Sequence, residues 1–285
     1  MVKNAIAEAC GIEIFAEKGA GYSFFSSPYQ AHRDHAAVDI CAGNEFGCEV
    51  CSPVSGTVEK VLSYESPTPT GMALPEHLII IKKGKYAARI MHVAPKVKAG
   101  EQIAVGDVIG QAIANGFFSY WVDPIMHIEV RKENDYIRAR GGYELAPLGK
   151  LDNAFSPGKH GMTGTVVWAS EHNVTARLRE MPSFCVGDVP VRPDGTTNLD
   201  YSGVYGSFPA GEKVYLNGKT IGEIIRTGKY FSTYKTFPLS VTVNDSPYEG
   251  ISWSSDALTI KLLPKKYGPS GLKPGDKVRI GLSDL

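Results

Sequence analysis

His35-Ala36-Ala37-Val38-Asp39-Ile40 sets an imidazole and a carboxylate four residues apart. Side chains of an extended chain alternate between faces, so His35 and Asp39 are expected on one side of a strand. Neutral imidazole beside carboxylate is the donor chemistry of first-row metals, zinc above all. A lone His-x-x-x-Asp is common by chance, and what gives it weight here is the order of the segments downstream. His92 falls in the apolar run Arg89-Ile90-Met91-His92-Val93, and His127 in the run Met126-His127-Ile128-Glu129-Val130. Any one of these histidines by itself reads better as a satisfied core side chain than as a ligand.

In this order, over residues 20–135, the segments resemble the M23 (LytM, lysostaphin-like) zinc metallopeptidases. That family shows His-x-Gly-x-Asp-Ile, then aromatic-x-His-Leu, then His-Leu-His-Phe-Glu-Val. The resemblance implies a zinc ion, one per chain, held by His35, Asp39 and His127, with His92 as the imidazole that handles the proton or the oxyanion. It also implies a β barrel or sandwich-hybrid fold. Gly100, Gly106 and Gly110 match the elbow that such domains share with biotinyl and lipoyl carriers. The carrier alternative lacks a modifiable lysine at a hairpin tip. The chain departs from the pattern twice: Ile125 stands where the family has the first histidine of His-x-His, and Ile90 where it has a tyrosine. Isoleucine neither moves a proton nor donates a hydrogen bond. Three accounts follow: a domain that keeps zinc without catalysis, a different reaction, or a shifted alignment in which His32 or Asp123 takes a role.

Thirty basic residues balance thirty acidic ones, so no global field favours nucleic acid or an anionic membrane; a local basic patch would be invisible at this level. The N-terminus lacks the apolar core of a signal peptide, and no window approaches the ~20 apolar residues of a membrane span. A cytoplasmic protein is expected, which sits poorly with a conventional peptidoglycan hydrolase. Five cysteines in no framework spacing fit a reducing compartment, and Cys48-Glu49-Val50-Cys51 is expected to be structural.

Along the chain, residues 4–18 are expected to form a short helix running into the strand Ile12–Phe15. Tyr22–Tyr29 reads as a strand and turn. Val54–Val61 alternates, with Gly56 as a bulge or a close approach. Ser66–Pro75 reads as a loop, and His77–Lys82 and Tyr86–Val93 as an antiparallel pair around Lys83-Gly84-Lys85. Phe117, Tyr120 and Trp121 lie in an aromatic loop just before His127, as candidates to line a substrate groove or simply to pack. Short β-like runs recur after residue 162, separated by turn signals at Pro193-Asp194-Gly195, Asn217-Gly218 and Pro274-Gly275-Asp276. His160 and His172 are expected to be ordinary loop residues.

The expectation is a mostly β protein. An M23-like barrel or sandwich hybrid (1–140) and a linker (141–161) precede a second β-rich domain, sandwich or barrel (162–285). The expected function is a zinc-dependent hydrolase acting on an amide or related carbonyl in a small-molecule or peptide substrate, with no nucleic-acid or membrane partner. The alternative is an inactive scaffold that binds a ligand or protein through the same groove. The oligomeric state is not legible.

Overall fold

The computed structural model describes residues 3–66, 74–149, 161–255 and 258–284. The chain is almost entirely β and divides into two compact units, Met1–Tyr22 with Gln30–Lys150, and Ser23–Tyr29 with Leu151–Leu285. Among the described residues, no helix is long and apolar enough to cross a membrane.

The first unit opens with β1 (Lys3–Ala9) and β2 (Ile12–Glu17), an antiparallel hairpin in place of the expected helix. Cys10 and Gly11 both take positive φ, 53° and 79°. That is the two-residue turn whose twist matches paired strands. Closing it buries Ile6, Ala7 and Ala9 together with Ile12 and Ile14, a gain that an isolated helix of alanines would not have. β3 (Tyr22–Ser23), the one-turn α1 (Gln30–Arg33), β4 (Ala37–Cys41) and β5 (Glu49–Cys51) follow. Next come β6 (Gly56–Ser66), β7 (Leu74–Lys83), β8 (Tyr86–Met91) and β9 (Val93–Pro95). β10 (Gln102–Ile103), β11 (Val108–Ala112), β12 (Ile125–Lys132) and β13 (Ala146–Pro147) complete the unit.

A seven-stranded sheet runs β10-β6-β7-β8-β12-β4-β3, beside three-stranded sheets β5-β11-β9 and β13-β1-β2. In the expected Ser66–Pro75 loop, residues 67–73 lie outside the described residues, while Ser66 closes β6 and Leu74 opens β7 as paired partners. Of the stretch expected to be a linker, residues 141–149 are described and 161 stands alone beyond them; Ala146–Pro147 still pairs with β1. The central strands β7, β8, β12 and β4 are buried on both faces; β7 carries the continuous apolar run Leu78–Ile81, whereas β12 alternates apolar residues with the buried His127, Glu129 and Arg131.

In the second unit, thirteen strands among the described residues pair in one antiparallel path. Its core includes Trp253, Tyr234, Phe184 and Ile251. Ser23–Tyr29 belongs to this unit, and of the expected strand only Tyr22–Ser23 pairs as one. Phe24 and Phe25 pack on Phe231 at ring distances of 4.7 and 5.6 Å. Pro193-Asp194-Gly195 is not the expected turn but part of a strand, Pro193–Thr196. Buried Asp194 accepts hydrogen bonds from the Ser23 hydroxyl and, at 3.0 Å, from Phe24 N–H. Those bonds satisfy the carboxylate that would otherwise favour a local turn. Asn217-Gly218 is a turn as read, with φ of 49° and 78°.

Gly56 proves to be a close approach, while the bulge falls two residues on, between Val58 and Lys60. A Cβ at position 56 would sit 2.3 Å from the Lys82 carbonyl oxygen. Because that neighbour is backbone, Gly56→Ala is expected to destabilise the first unit by about 1–3 kcal/mol. A thermal melt showing an unchanged midpoint for this variant would contradict that reading.

Candidate metal centre and its imidazole partner

β4 and β12 pair antiparallel with Asp39 directly opposite His127, and β8 flanks β12 with Met91 opposite the same histidine. This register, not chain proximity, brings the chemistry together. His127 Nδ1 lies 2.7 Å from Asp39 Oδ1, and Asp39 Oδ2 lies 3.3 Å from His32 Nε2. The His32 and His127 rings meet edge to face at 5.0 Å. All three side chains are buried, and one donor atom from each falls within 4.8 Å of the others.

Asp39 and His127 therefore come together as the sequence suggests, but the third member of the group is His32. His35 is not in it. The strand starts only at Ala37, and His35 precedes it in the left-handed region with φ of 59°. Side-chain alternation does not carry back through such a residue, so the same-face argument for positions 35 and 39 fails. The imidazole of His35 instead lies 3.8 Å from Glu144, and its carbonyl accepts Leu145 N–H. The short α1 turn places His32 one turn ahead, against Asp39.

Beneath the group lies an ion network of buried side chains. His127, Glu129 and Arg131 alternate onto one face of β12, and Arg89 of β8 sits directly opposite Glu129. Glu129 accepts from Arg89 at 2.6 Å and from Arg131 at 2.7 Å, and lies 3.1 Å from His127 Nε2. Arg131 also donates to the carbonyls of Asp135, Arg138 and Arg140, which ties the following loop to the network.

Burial opposes charge on all three groups, yet ion pairing outweighs it. Between Asp39 and Glu129, His127 is raised to about 9. Glu129 is drawn down to about 2 by His127 and the two arginines, and Asp39 is held well below the usual range by His32 and His127.

A second imidazole, His92, follows β8 with φ of 68° and faces the group, its ring 5.9 Å from that of His127. Its Nδ1 is 2.5 Å from Glu76 Oε2, and its backbone N–H donates to Glu76 Oε1 at 2.9 Å. Asn115 Nδ2 donates to the same carboxylate at 2.6 Å, while Phe117 N–H to Asn115 Oδ1 sets the amide's orientation. Glu76 is fully buried, and although burial pushes its carboxyl up, the bonds from His92 bring it below the ordinary value. A carboxylate at Nδ1 fixes the proton there and leaves Nε2 to do chemistry.

Sequence reasoning missed Glu76 and Asn115. Glu76 stands at the edge of a Pro-rich stretch, and only the β7–β8 pairing carries it to His92. Of the aromatic loop before His127, Phe117 lies 6.4 Å from the His92 ring, and its neighbour Phe118 lies closer at 4.7 Å. Tyr120 and Trp121 stack on each other at 4.8 Å. None of the five cysteines is joined in a disulfide, and burial pushes the thiols of Cys48 and Cys51 up.

Residues 13–147 match a family described as Domain of unknown function (DUF8155) N-terminal domain, a little under half of the chain. A comparison with curated proteins finds no match. Two solved structures of lysostaphin are similar to the chain. One is an NMR solution structure at 15% identity, and the other is the antimicrobial peptidase from Staphylococcus simulans at 16%. Each covers 93% of this chain and 94% of its own, with a TM-score of 0.30.

The ion network makes the metal-free first unit sensitive to pH from both sides. Glu129, depressed to about 2, contributes stability present above its ordinary value of 4.5 and lost as pH falls toward 2. His127, raised to about 9, contributes stability present below 6.5 and lost as pH rises through 9. Against burial, Glu129 is lowered first by His127, whereas His127 is raised more by Asp39 than by Glu129. The acid limb therefore belongs to the Glu129–His127 pair and the alkaline limb mainly to His127–Asp39, each worth on the order of a few kcal/mol. Melts with chelator present are expected to show a plateau between about pH 5 and 6.5 with a decline on each side, and Glu129→Gln is expected to remove the acid limb while only weakening the alkaline one, which Asp39 sustains.

Proposed function

We propose that the first unit is a zinc-dependent hydrolase acting on an amide or related carbonyl. In this reading His32, Asp39 and His127 hold the metal, and His92 handles the proton. The observation that carries it is the buried His-Asp-His group with a carboxylate-oriented imidazole 5.9 Å away.

The donor set fits zinc. Two imidazole nitrogens and one carboxylate oxygen are its usual ligands, and three protein ligands leave a coordination position open, as in catalytic rather than structural sites. Glu129 at Nε2 of His127 is the outer carboxylate that fixes a ligating histidine's tautomer, leaving Nδ1 toward the site. When bound, zinc supplies Lewis acidity toward a carbonyl and toward water.

The chain's own residues do the rest. With Nδ1–H on Glu76, His92 presents Nε2 to take a proton from the attacking water and return it to the leaving nitrogen. Phe117 and Phe118 stand beside the His92 ring and supply an apolar wall there. The resemblance of these segments to M23 metallopeptidases supports the same assignment, with His32 in place of His35.

Ile125 favours a second reading, a metal-holding scaffold without turnover. The residue opposite it on β4 is Cys41, so that pairing brings a thiol and no imidazole to the place where the family has its extra histidine.

Metal analysis separates the ligand sets. About one zinc per chain is expected in the wild type and in His35→Ala, and none in His32→Ala or His127→Ala. Loss in His35→Ala with retention in His32→Ala would restore the set implied by resemblance. Because His127 is protonated up to about 9, zinc binding at pH 7 must displace that proton. Calorimetry in buffers of different ionisation enthalpy is expected to show about one proton released, and zinc affinity is expected to rise about tenfold per pH unit. With zinc retained, His92→Ala is expected to lower amide hydrolysis about 10²–10⁴-fold. Absence of turnover in the zinc-loaded wild type across an amide panel would leave the scaffold.

A further inference from the structure

The net charge of zero conceals a basic face in the second unit. Three adjacent strands, Val174–Leu178, Thr163–Ala169 and Lys277–Asp284, line a groove of about 710 Å³. The register builds it in rungs. Thr165 pairs with Arg177 on one side and Lys277 on the other, while Thr163 pairs with Arg279 and bonds Arg179 N–H through its carbonyl. Two threonines thus run down the middle with four exposed cations flanking them. Successive rungs are about 7 Å apart, the span of two residues along a strand. That is on the order of the separation of successive phosphates in an extended phosphodiester strand. Arg279 already holds a carboxylate, Asp245, through one guanidinium nitrogen at 3.0 and 2.8 Å. Lys277 Nζ donates to Thr165 Oγ1 at 2.8 Å, which holds its charge over the centre of the groove.

A second observation narrows the occupant. The bulge between Val166 and Trp168 places Trp168 opposite Thr175, on the face that Thr175 shares with Arg177. Trp168 is 40% exposed, a large aromatic left at the surface one rung beyond the cations. Guanidinium forks match phosphate oxygens, and an exposed indole offers a face to a base.

We propose that this face binds single-stranded nucleic acid through its phosphates, without reading sequence, with Trp168 stacking on a base. The site lies wholly within the second unit and does not depend on the hydrolase reading.

The test is fluorescence anisotropy of the full-length chain with a labelled oligothymidylate at increasing salt. Saturable binding is expected, with log K falling against log salt at a slope of about −2 for three phosphates, Arg279 being already paired with Asp245. Arg177→Ala/Lys277→Ala is expected to reduce that slope by about 1.4. Trp168→Ala is expected to weaken binding roughly tenfold with the slope unchanged. Lys85→Ala/Lys98→Ala, which removes the same charge from exposed positions of the first unit, is expected to bind as wild type. All these side chains are exposed, and unchanged thermal midpoints are expected to confirm folding. No saturable binding at low salt would overturn the proposal, as would equal weakening by the Lys85/Lys98 control. Inorganic polyphosphate competing at equal charge, with Trp168→Ala without effect, would overturn the nucleic-acid assignment.

Discussion

The buried carboxylate of Glu129 is the constraint around which the first unit is arranged. A carboxylate with no exposed surface is stable only when several donors reach it, and here two guanidinium groups and an imidazole do so. Each donor arrives by a different structural rule. Arg131 and His127 come by alternation along β12, and Arg89 comes by the β8–β12 register. Shifting any of these strands by one residue would turn its charge toward the apolar face, so the network enforces the register that the hydrophobic pattern alone leaves ambiguous in strands buried on both sides. The same register sets Asp39 opposite His127. Charge satisfaction and the metal-type donor group therefore share one cause.

The second unit rests on a smaller version of the same physics. Asp194 is buried and binds a segment from far upstream, Ser23–Phe24, whose neighbouring aromatic rings complete a cluster with Tyr205 and Phe231. Gly203 has no side chain because the Phe25 ring occupies that space, 2.2 Å from where a Cβ would stand. In both units a buried carboxylate recruits distant chain, and the apolar side chains around it then have a defined place to pack.

Much of this was legible beforehand. The short β-like runs expected after residue 162 stand as strands, Thr163–Ala169, Lys213–Leu216 and Leu239–Val243 among them. The weaker readings failed where local preference met long-range pairing. Alanine-rich residues 4–9 are strand because a positive-φ turn and a β partner follow immediately. Asp194-Gly195 is strand because the aspartate's hydrogen bonds are made elsewhere. Glu76 and Asn115 carried no spacing signal, since they lie 16 and 23 residues from His92 and meet it only across the fold.

The sequence by itself determined the β class, through short alternating runs broken by turn residues, and the donor chemistry, through the order of its histidines and aspartate. Only the tertiary structure decided which histidine joins Asp39 and His127. One backbone angle, the positive φ at His35, ends the alternation that pointed to that residue and hands the place to His32. The tertiary structure likewise gathered Arg177, Arg179, Lys277 and Arg279, a hundred residues apart in the chain, onto one face of a protein with no net charge. Composition sums charge over the whole chain, whereas the field that a ligand meets is set by which strands lie side by side.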